Sequence, residues 1–222
     1  MIEALICPLC AAASCVFFAD DKRRRYQQCT VCQLVFVAPC YQLSADSEKA
    51  EYDLHQNNPS DKGYRQFLSR LILPLQARLK PEHKGLDFGC GPGPTLSVMM
   101  AESGWSMDIY DPFYHCEKSV LDRRYDFITA TEVVEHIYQP GACLNDLWAM
   151  LNPGGTLAIM TKLLINKTAF MSWHYKNDPT HVCFYSRQTF IFIAQRWQAD
   201  IEFVASDVIF LRKPDSNSKF II

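Results

Sequence analysis

Short apolar runs and amphipathic stretches alternate along most of this chain of 222 residues. From residue 85 onward, each short run is followed by apolar positions at helical spacing, which is typical of a parallel sheet covered by helices. Two later runs, 200–204 and 207–212, predict neighbouring antiparallel strands. The other predicted strands are 85–88, 107–110, 127–130 and 156–161, and the predicted helices lie near 95–103, 142–151 and 186–197.

The N-terminal part of the chain has a different pattern. Its first residues contain two cysteine pairs and short β-prone runs. Over 43–80, apolar residues recur at helical spacing, and Pro74 and Pro81 predict a break and an end of that helix. The predicted units are a small β module over 1–42, a helical connector over 43–84 and an α/β domain over 85–222.

Four N-terminal cysteines have the spacing of a metal site. Cys7 and Cys10 form one C-x2-C pair, Cys29 and Cys32 form another, and 18 residues separate the pairs. This spacing is typical of a structural zinc ribbon, in which four thiolates close a tetrahedral coordination sphere. The alternative is a set of four unrelated buried thiols. We expect zinc to stabilise a module too small to fold alone, with a core separate from that of the main domain.

A glycine-rich loop follows the first predicted strand of the α/β domain. The sequence of 86–94 is Leu-Asp-Phe-Gly-Cys-Gly-Pro-Gly-Pro, and glycines at such a turn let the backbone approach a ligand closely. A dinucleotide fingerprint requires glycine where Pro94 stands. Pro92 and Pro94 also lack the N–H groups that would cradle a pyrophosphate. The loop therefore favours a ligand without phosphates.

The Asp-x-Gly-x-Gly-x-Gly run resembles the first motif of class I S-adenosylmethionine-dependent methyltransferases, and the resemblance extends over 85–213. It implies a Rossmann-like α/β fold whose sheet is mostly parallel with the last strand antiparallel. In that family an acid after the second strand accepts hydrogen bonds from the ribose hydroxyls, and Asp111 stands at that position. The cofactor-binding residues that the resemblance implies are Asp87, Gly89, Cys90, Gly91, Gly93, Asp111, Pro112, Thr131 and Glu132.

The segment after Asp111 departs from that family. Only 13 residues lie between Asp111 and Tyr125. This is too few for the helix, third strand and adenine-binding acid that most members place there. We therefore expect the third strand to be shortened or absent.

The segment 173–186 is the predicted substrate loop. It precedes a helix that Ser186 can cap and lies beyond the carboxyl ends of the strands, where ligands bind in α/β sheets. Methyl transfer is an in-line displacement, which a base assists by removing a proton from an oxygen or nitrogen acceptor. His181 is the predicted catalytic base. His174 is an alternative base, and a hydrogen-bonded His181 inside an aromatic lid is the alternative without catalysis.

A second, divalent metal site is a further hypothesis. Glu132, Glu135 and His136 follow the strand 127–130 in a spacing that one turn can gather, with His181 as a fourth ligand. The run resembles the metal-binding segment of ubiquinone-pathway O-methyltransferases and of enzymes that methylate small-RNA ends. Two carboxylates and an imidazole suit magnesium or manganese. Alternatively, Glu132 lines the cofactor pocket while Glu135 and His136 cap a helix.

Composition narrows the choice of acceptor and compartment. The formal net charge of -2 gives no general attraction for phosphate backbones or membranes, which favours a small metabolite. The many aromatic residues favour a hydroxylated or quinone-like ring. RNA methylation through the ribbon and the basic run 22–25 is the alternative, and a non-catalytic cofactor-binding module is a third. No apolar run reaches the ~20 residues of a membrane span. With no signal-peptide pattern at the start, we expect a cytoplasmic protein.

Overall fold

The N-terminal cysteine pairs and β-prone runs form a small antiparallel sheet, which we call the ribbon. The computed structural model describes residues 5–54 and 58–215. The ribbon's own strands, which pair in sequence order, are β1 (Cys15–Asp20), β2 (Arg25–Cys29) and β3 (Val35–Val37). A later strand, β8 (Cys183–Phe184), pairs with β3, so the main domain contributes a fourth strand to the ribbon.

Two helices connect the ribbon to the large sheet. Helices α1 (Ala45–Tyr52) and α2 (Lys62–Gln76) follow Ser44 and Asp61, whose side-chain oxygens accept backbone N–H groups of the first turn. The predicted break at Pro74 is wrong, because α2 continues through this residue. Proline removes one helical N–H, but the apolar face of α2 is buried against the large sheet and supports its final turn.

The rest of the chain forms a six-stranded sheet with covering helices. Its strands are β4 (Lys84–Phe88), β5 (Ser106–Tyr110), β6 (Tyr125–Thr131), β7 (Leu151–Met160), β9 (Asp200–Phe203) and β10 (Val208–Arg212). Its helices are α3 (Thr95–Glu102), α4 (Pro140–Met150), α5 (Lys167–Met171) and α6 (Arg187–Trp197). The strand order is β5-β4-β6-β7-β10-β9, with β10 antiparallel to both neighbours. The predicted Rossmann-like fold is confirmed.

The connection between β5 and β6 contains no strand among the described residues. A 3-10 helix, Lys118–Asp122, takes the place of the usual helix and third strand. The expected loss of the third strand is therefore confirmed, and β5 lies at the edge of the sheet. The loop after β5 lines a cavity at the carboxyl ends of the parallel strands.

The ribbon and the large sheet share a hydrophobic cluster. Cys32 and Val35 of the ribbon belong to the same cluster of buried residues as Ile128 and Ile159 of the large sheet. The expectation of a separate ribbon core is wrong, because the pairing of β3 with β8 continues the ribbon into the main domain. The division of the chain at residues 42 and 84 stays a prediction. Among the described residues, no helix is long and apolar enough to cross a membrane.

Candidate active site

The four predicted zinc ligands converge between two equivalent turns. In each turn the residue after the second cysteine has a positive φ, 61° and 63°, and its N–H bonds to the carbonyl of the first cysteine. The Sγ atoms lie within 4.8 Å of one another, and Cys7–Cys32 and Cys10–Cys29 are each 3.5 Å apart. Tetrahedral zinc with Zn–S bonds of about 2.3 Å needs sulfur separations of about 3.8 Å, so the cluster fits such an ion.

A cavity of about 750 Å³ lies at the carboxyl ends of the parallel strands. The loops after β4, β5 and β6 form one side of it, and α1 and residues of the segment 174–181 form the other. Its size is typical of a small-molecule site, and its position is where open α/β sheets bind ligands. The predicted site residues on its wall are Gly89, Cys90, Gly91, Asp111, Pro112, Thr131, Glu132, His136 and His181.

The glycine loop turns at two positions that favour glycine. Gly89 and Gly91 have φ values of 74° and 67°. A Cβ on Gly89 would lie 2.4 Å from Cγ2 of Val133, so a side chain does not fit there. The Gly91 N–H donates to Oδ2 of Asp111 at 3.0 Å, which ties the loop to the end of β5. Gly93 does not belong to the cavity wall.

Asp111 organises the backbone around the cavity. Its Oδ1 accepts the N–H groups of Phe113 at 2.8 Å and Tyr114 at 3.2 Å, while Oδ2 accepts that of Gly91. An ionised carboxylate offers about four acceptor positions, so about one remains for a ligand hydroxyl. The geometry therefore leaves about one acceptor position of Asp111 free of these backbone N–H groups.

Asp87 lies beneath the glycine loop and not on the cavity wall. Its side chain is buried, and Oδ1 accepts the Thr129 hydroxyl at 2.8 Å. Burial raises the pKa of Asp87 to about 7, the Thr129 bond opposes this rise, and the Asp111 charge adds to it. Asp87 therefore supports the loop from below.

The buried carboxylate of Glu135 and the half-buried carboxylate of Glu132 lie near the hydroxyl of Tyr175. This hydroxyl donates to Oε1 of Glu135 and lies 3.4 Å from Oε2 of Glu132. Burial raises the pKa of both carboxyl groups, and burial together with these carboxylates raises the pKa of Tyr175. The carboxylate of Glu135 is fully buried and accepts the Tyr175 hydroxyl, and the alternative in which Glu135 and His136 cap a helix stays a prediction.

His181 has a defined tautomer. Its Nδ1 is 2.7 Å from the carbonyl oxygen of Tyr175, and because a carbonyl only accepts, Nδ1 carries the proton and Nε2 the lone pair. Nε2 lies 3.7 Å from Oδ2 of Asp178. Burial lowers the pKa of His181 below its ordinary value, and the Asp178 charge opposes this. A neutral imidazole with an Nε2 lone pair can accept a proton.

The predicted divalent site is assembled only in part. Ligand atoms of Glu135, His136 and His181 lie within 4.8 Å of one another, but Glu132 is outside this group. The donor set is therefore two imidazoles and one carboxylate, not two carboxylates and one imidazole. Magnesium and manganese favour oxygen donors, whereas imidazole suits zinc, copper, iron or nickel. The residues do not fit the expected magnesium or manganese.

Parts of the cavity wall were missed by sequence reasoning. Tyr52 of α1 packs edge-on against His136, with ring centroids 5.3 Å apart, and donates to Glu48 at 2.7 Å. The Nζ atom of Lys162 lies 5.1 Å from the ring centroid of Tyr175. Tyr175 lies in the predicted substrate loop, and the many aromatic residues of that loop were the signal that could have identified it. Neither α1 nor Lys162 carries such a signal.

Comparison with protein families identifies the class to which this fold and site belong. A family model described as "Methyltransferase domain" matches residues 60–202, which is more than half of the chain. The chain belongs to this methyltransferase-domain family.

Two relatives of known name are both called "Ubiquinone biosynthesis O-methyltransferase". The protein from Parvibaculum lavamentivorans is 30% identical over 145 residues, covering 52% of this chain and 54% of the relative. The protein from Histophilus somni is 27% identical over 148 residues, covering 54% and 57%. The chain thus spans about half the length of these relatives.

Solved structures share the fold. An O-methyltransferase family protein from Burkholderia thailandensis has a TM-score of 0.51 and 9% identity, covering 81% of this chain and 63% of that one. A SAM-dependent methyltransferase from Archaeoglobus fulgidus has a TM-score of 0.50 and 18% identity, covering 62% and 70%. At these identities the likeness supports the fold alone.

Proposed function

We propose that the protein is an S-adenosylmethionine-dependent methyltransferase whose acceptor is a small molecule with a hydroxyl group on a ring. The observation that carries this proposal is the cavity of about 750 Å³, where the glycine loop, Asp111 and His181 meet. Family membership supports the cofactor, and the names of both relatives support an oxygen acceptor. Aromatic side chains on the cavity wall suit a ring substrate; they include Tyr52, Phe67, Phe113 and Tyr138.

The chain's residues fit this cofactor. The backbone of Gly89 and Gly91 approaches the cavity without side chains, as the methionine half of the cofactor requires. Asp111 has one acceptor position for a ribose hydroxyl, and Thr131 and Glu132 lie on the adjoining wall. When bound, the cofactor supplies an electrophilic methyl group on a sulfonium.

His181 acts as the base in this proposal. Nε2 of His181 would accept the proton that the acceptor hydroxyl loses when it is methylated. Asp178, whose Oδ2 is 3.7 Å from Nε2, stabilises the imidazolium that results. The hydrogen bond from Nδ1 to the Tyr175 carbonyl fixes the ring in the required tautomer.

The test is methyl transfer from labelled cofactor to separate panels of phenols and catechols, aliphatic alcohols and total RNA. We expect label in the phenolic panel. Label in RNA alone would contradict the proposal and favour the alternative acceptor. Binding of S-adenosylhomocysteine without transfer to any panel would favour a non-catalytic cofactor-binding module.

We propose in addition that Cys7, Cys10, Cys29 and Cys32 hold one structural zinc ion. The sulfur separations fit a four-thiolate site, and such a site has no position for substrate or water. Zinc in the ribbon would stabilise the fold and take no part in the transfer.

We also propose that methyl transfer needs no magnesium or manganese, because the donor set of Glu135, His136 and His181 does not suit these ions. Enzyme treated with a chelator, under conditions that leave its zinc content unchanged, should retain full activity. Loss of activity that manganese restores would contradict this proposal.

A further inference from the structure

Arg24, in the turn between β1 and β2, reaches into the loop that carries His181. Its guanidinium side chain is buried, and its two terminal nitrogens donate to four backbone carbonyls of one short segment. Nη1 donates to Pro179 at 3.2 Å and to His181 at 2.7 Å, and Nη2 donates to Asp178 at 2.9 Å and to Lys176. Four of the six backbone carbonyls of segment 176–181 thus accept hydrogen bonds from one guanidinium.

A second contact joins the same turn to the same segment. Oδ2 of Asp21 accepts hydrogen bonds from the Lys176 ammonium at 3.0 Å and the Tyr26 hydroxyl at 2.9 Å. Oδ1 accepts the backbone N–H groups of Arg23 and Arg24, which fixes the turn from which the guanidinium extends. The ribbon turn is therefore a rigid support for the loop.

The chain is also fixed immediately after His181. The Val182 N–H donates to the Glu135 carbonyl at 2.8 Å, and the Val182 carbonyl accepts the Val37 N–H at 3.0 Å. His181 therefore lies between two anchors, and ribbon residues take part in both.

Four converging carbonyls require a donor with several N–H groups in a fixed plane. The guanidinium provides five such donors, whereas a lysine ammonium provides three around a point charge. The sequence suggested that the basic run 22–25 could contact phosphate, but Arg24 is buried and bonded to the protein itself.

We propose that Arg24 is a positioning residue for the reaction, which holds segment 176–181 in the conformation that presents His181 and Asp178 to the cavity. The inference rests on the proposed function, because it assumes that His181 is the base. It gives the ribbon a second role beyond stability, as the support of the catalytic loop.

The experiment compares Arg24→Met with Arg25→Met in the full chain. Arg25 is an exposed neighbour at the start of β2 and lies over the Phe17 ring, so its variant removes a matched charge without touching the loop. Hydrogen exchange by mass spectrometry, in peptides that cover 173–185, should be faster in Arg24→Met only. Because small misplacements of a catalytic group slow reactions strongly, kcat should fall by about tenfold to a hundredfold, with the cofactor KM changed less than about twofold.

Arg24→Lys extends the test to a variant that retains the charge. It should show smaller changes of the same kind in exchange and kcat, and it replaces Arg24→Met if that variant does not fold. Wild-type exchange and kcat in a folded Arg24 variant would overturn the proposal. If the wild type methylates no acceptor, the proposed function fails, while the exchange comparison still decides whether Arg24 holds the segment.

Discussion

Three backbone N–H groups donate to the Asp111 carboxylate, and in the proposed function its remaining acceptor position takes a ribose hydroxyl. Asp111→Ala should weaken S-adenosylhomocysteine binding more than about tenfold, because charge-assisted hydrogen bonds contribute about 1.5–3 kcal/mol each. Calorimetry measures the change. Asp108→Asn is the control, because Asp108 on the same strand bonds to Arg123 and Tyr125 instead. Unchanged affinity in Asp111→Ala would contradict the ribose assignment.

The two histidines of the predicted substrate loop, His174 and His181, differ in their hydrogen-bond partners. His181→Gln should lower kcat by about a hundredfold or more, since general bases contribute about 10²–10⁴-fold, and cofactor affinity should stay unchanged. His174→Gln is the matched control, because His174 also lies on the cavity wall but bonds to Lys162. Steady-state kinetics of both variants decide between them. Greater loss in His174→Gln would make His174 the base.

Asp87 should leave a signature in the pH dependence of stability. Its pKa is about 7 in the folded protein, compared with an ordinary value of 3.8. The protonated form is favoured by folding, so this contribution is present below about pH 4 and is lost as pH rises through about 7. Asp87→Asn retains an acceptor for Thr129 and should have a higher melting temperature than wild type at pH 8 but not at pH 4. The same difference in the exposed Asp122→Asn would contradict this origin.

At the scale of the secondary-structure elements, the chain was predictable where local pattern and tertiary contacts agree. Strands β6 and β7 are rich in buried apolar residues, and Ser186 caps α6 as its position suggested. Helix α1 was not predicted separately because it has no buried residue and no apolar face. Strand β8 has two residues, and its partner is β3 of the distant ribbon, so no local pattern marks it.

The residues of the candidate site were also predictable only where they lie close together in the sequence. The glycine loop and Asp111 lie in contiguous motifs, so the sequence alone predicts them. Arg24 and Lys162 reach the site through long-range contacts, which a single sequence does not encode locally. Spacing alone also did not separate Glu132 from Glu135, His136 and His181, whose ligand atoms lie together in the structure.

We expect the ribbon to bind one zinc ion per chain. Cys29→Ser removes a ligand and should lower the bound zinc to well below one equivalent, because four thiolates form the complete site. Cys40→Ser is the control, since Cys40 is exposed and outside the cluster. Elemental analysis of protein purified without chelator measures both. Wild-type protein with far less than one zinc would contradict the assignment.

In the whole molecule, the ribbon is joined to the methyltransferase fold at several points. The first cysteine turn contacts the start of α4, where the Gly141 N–H donates to Pro8 at 3.1 Å. A Cβ on Gly141 would lie 2.3 Å from the carbonyl oxygen of Leu9, so this contact is close. The rings of Tyr26 and Phe170 pack edge-on at 4.9 Å. The two parts are therefore joined by contacts beyond the pairing of β3 with β8.

This continuity predicts that the ribbon and the large sheet unfold together. With zinc retained, we expect one calorimetric transition whose calorimetric and van't Hoff enthalpies agree, because the two sheets share a hydrophobic cluster and β8 of the main domain pairs with β3 of the ribbon. Removing zinc with a strong chelator should shift this single transition to lower temperature instead of splitting it, since metal that binds the folded state stabilises everything coupled to it. Loss of Tyr26 packing, in Tyr26→Ala, should shift it in the same direction. Two transitions, the first of which leaves S-adenosylhomocysteine binding intact, would instead mean that the ribbon folds and unfolds as a separate unit.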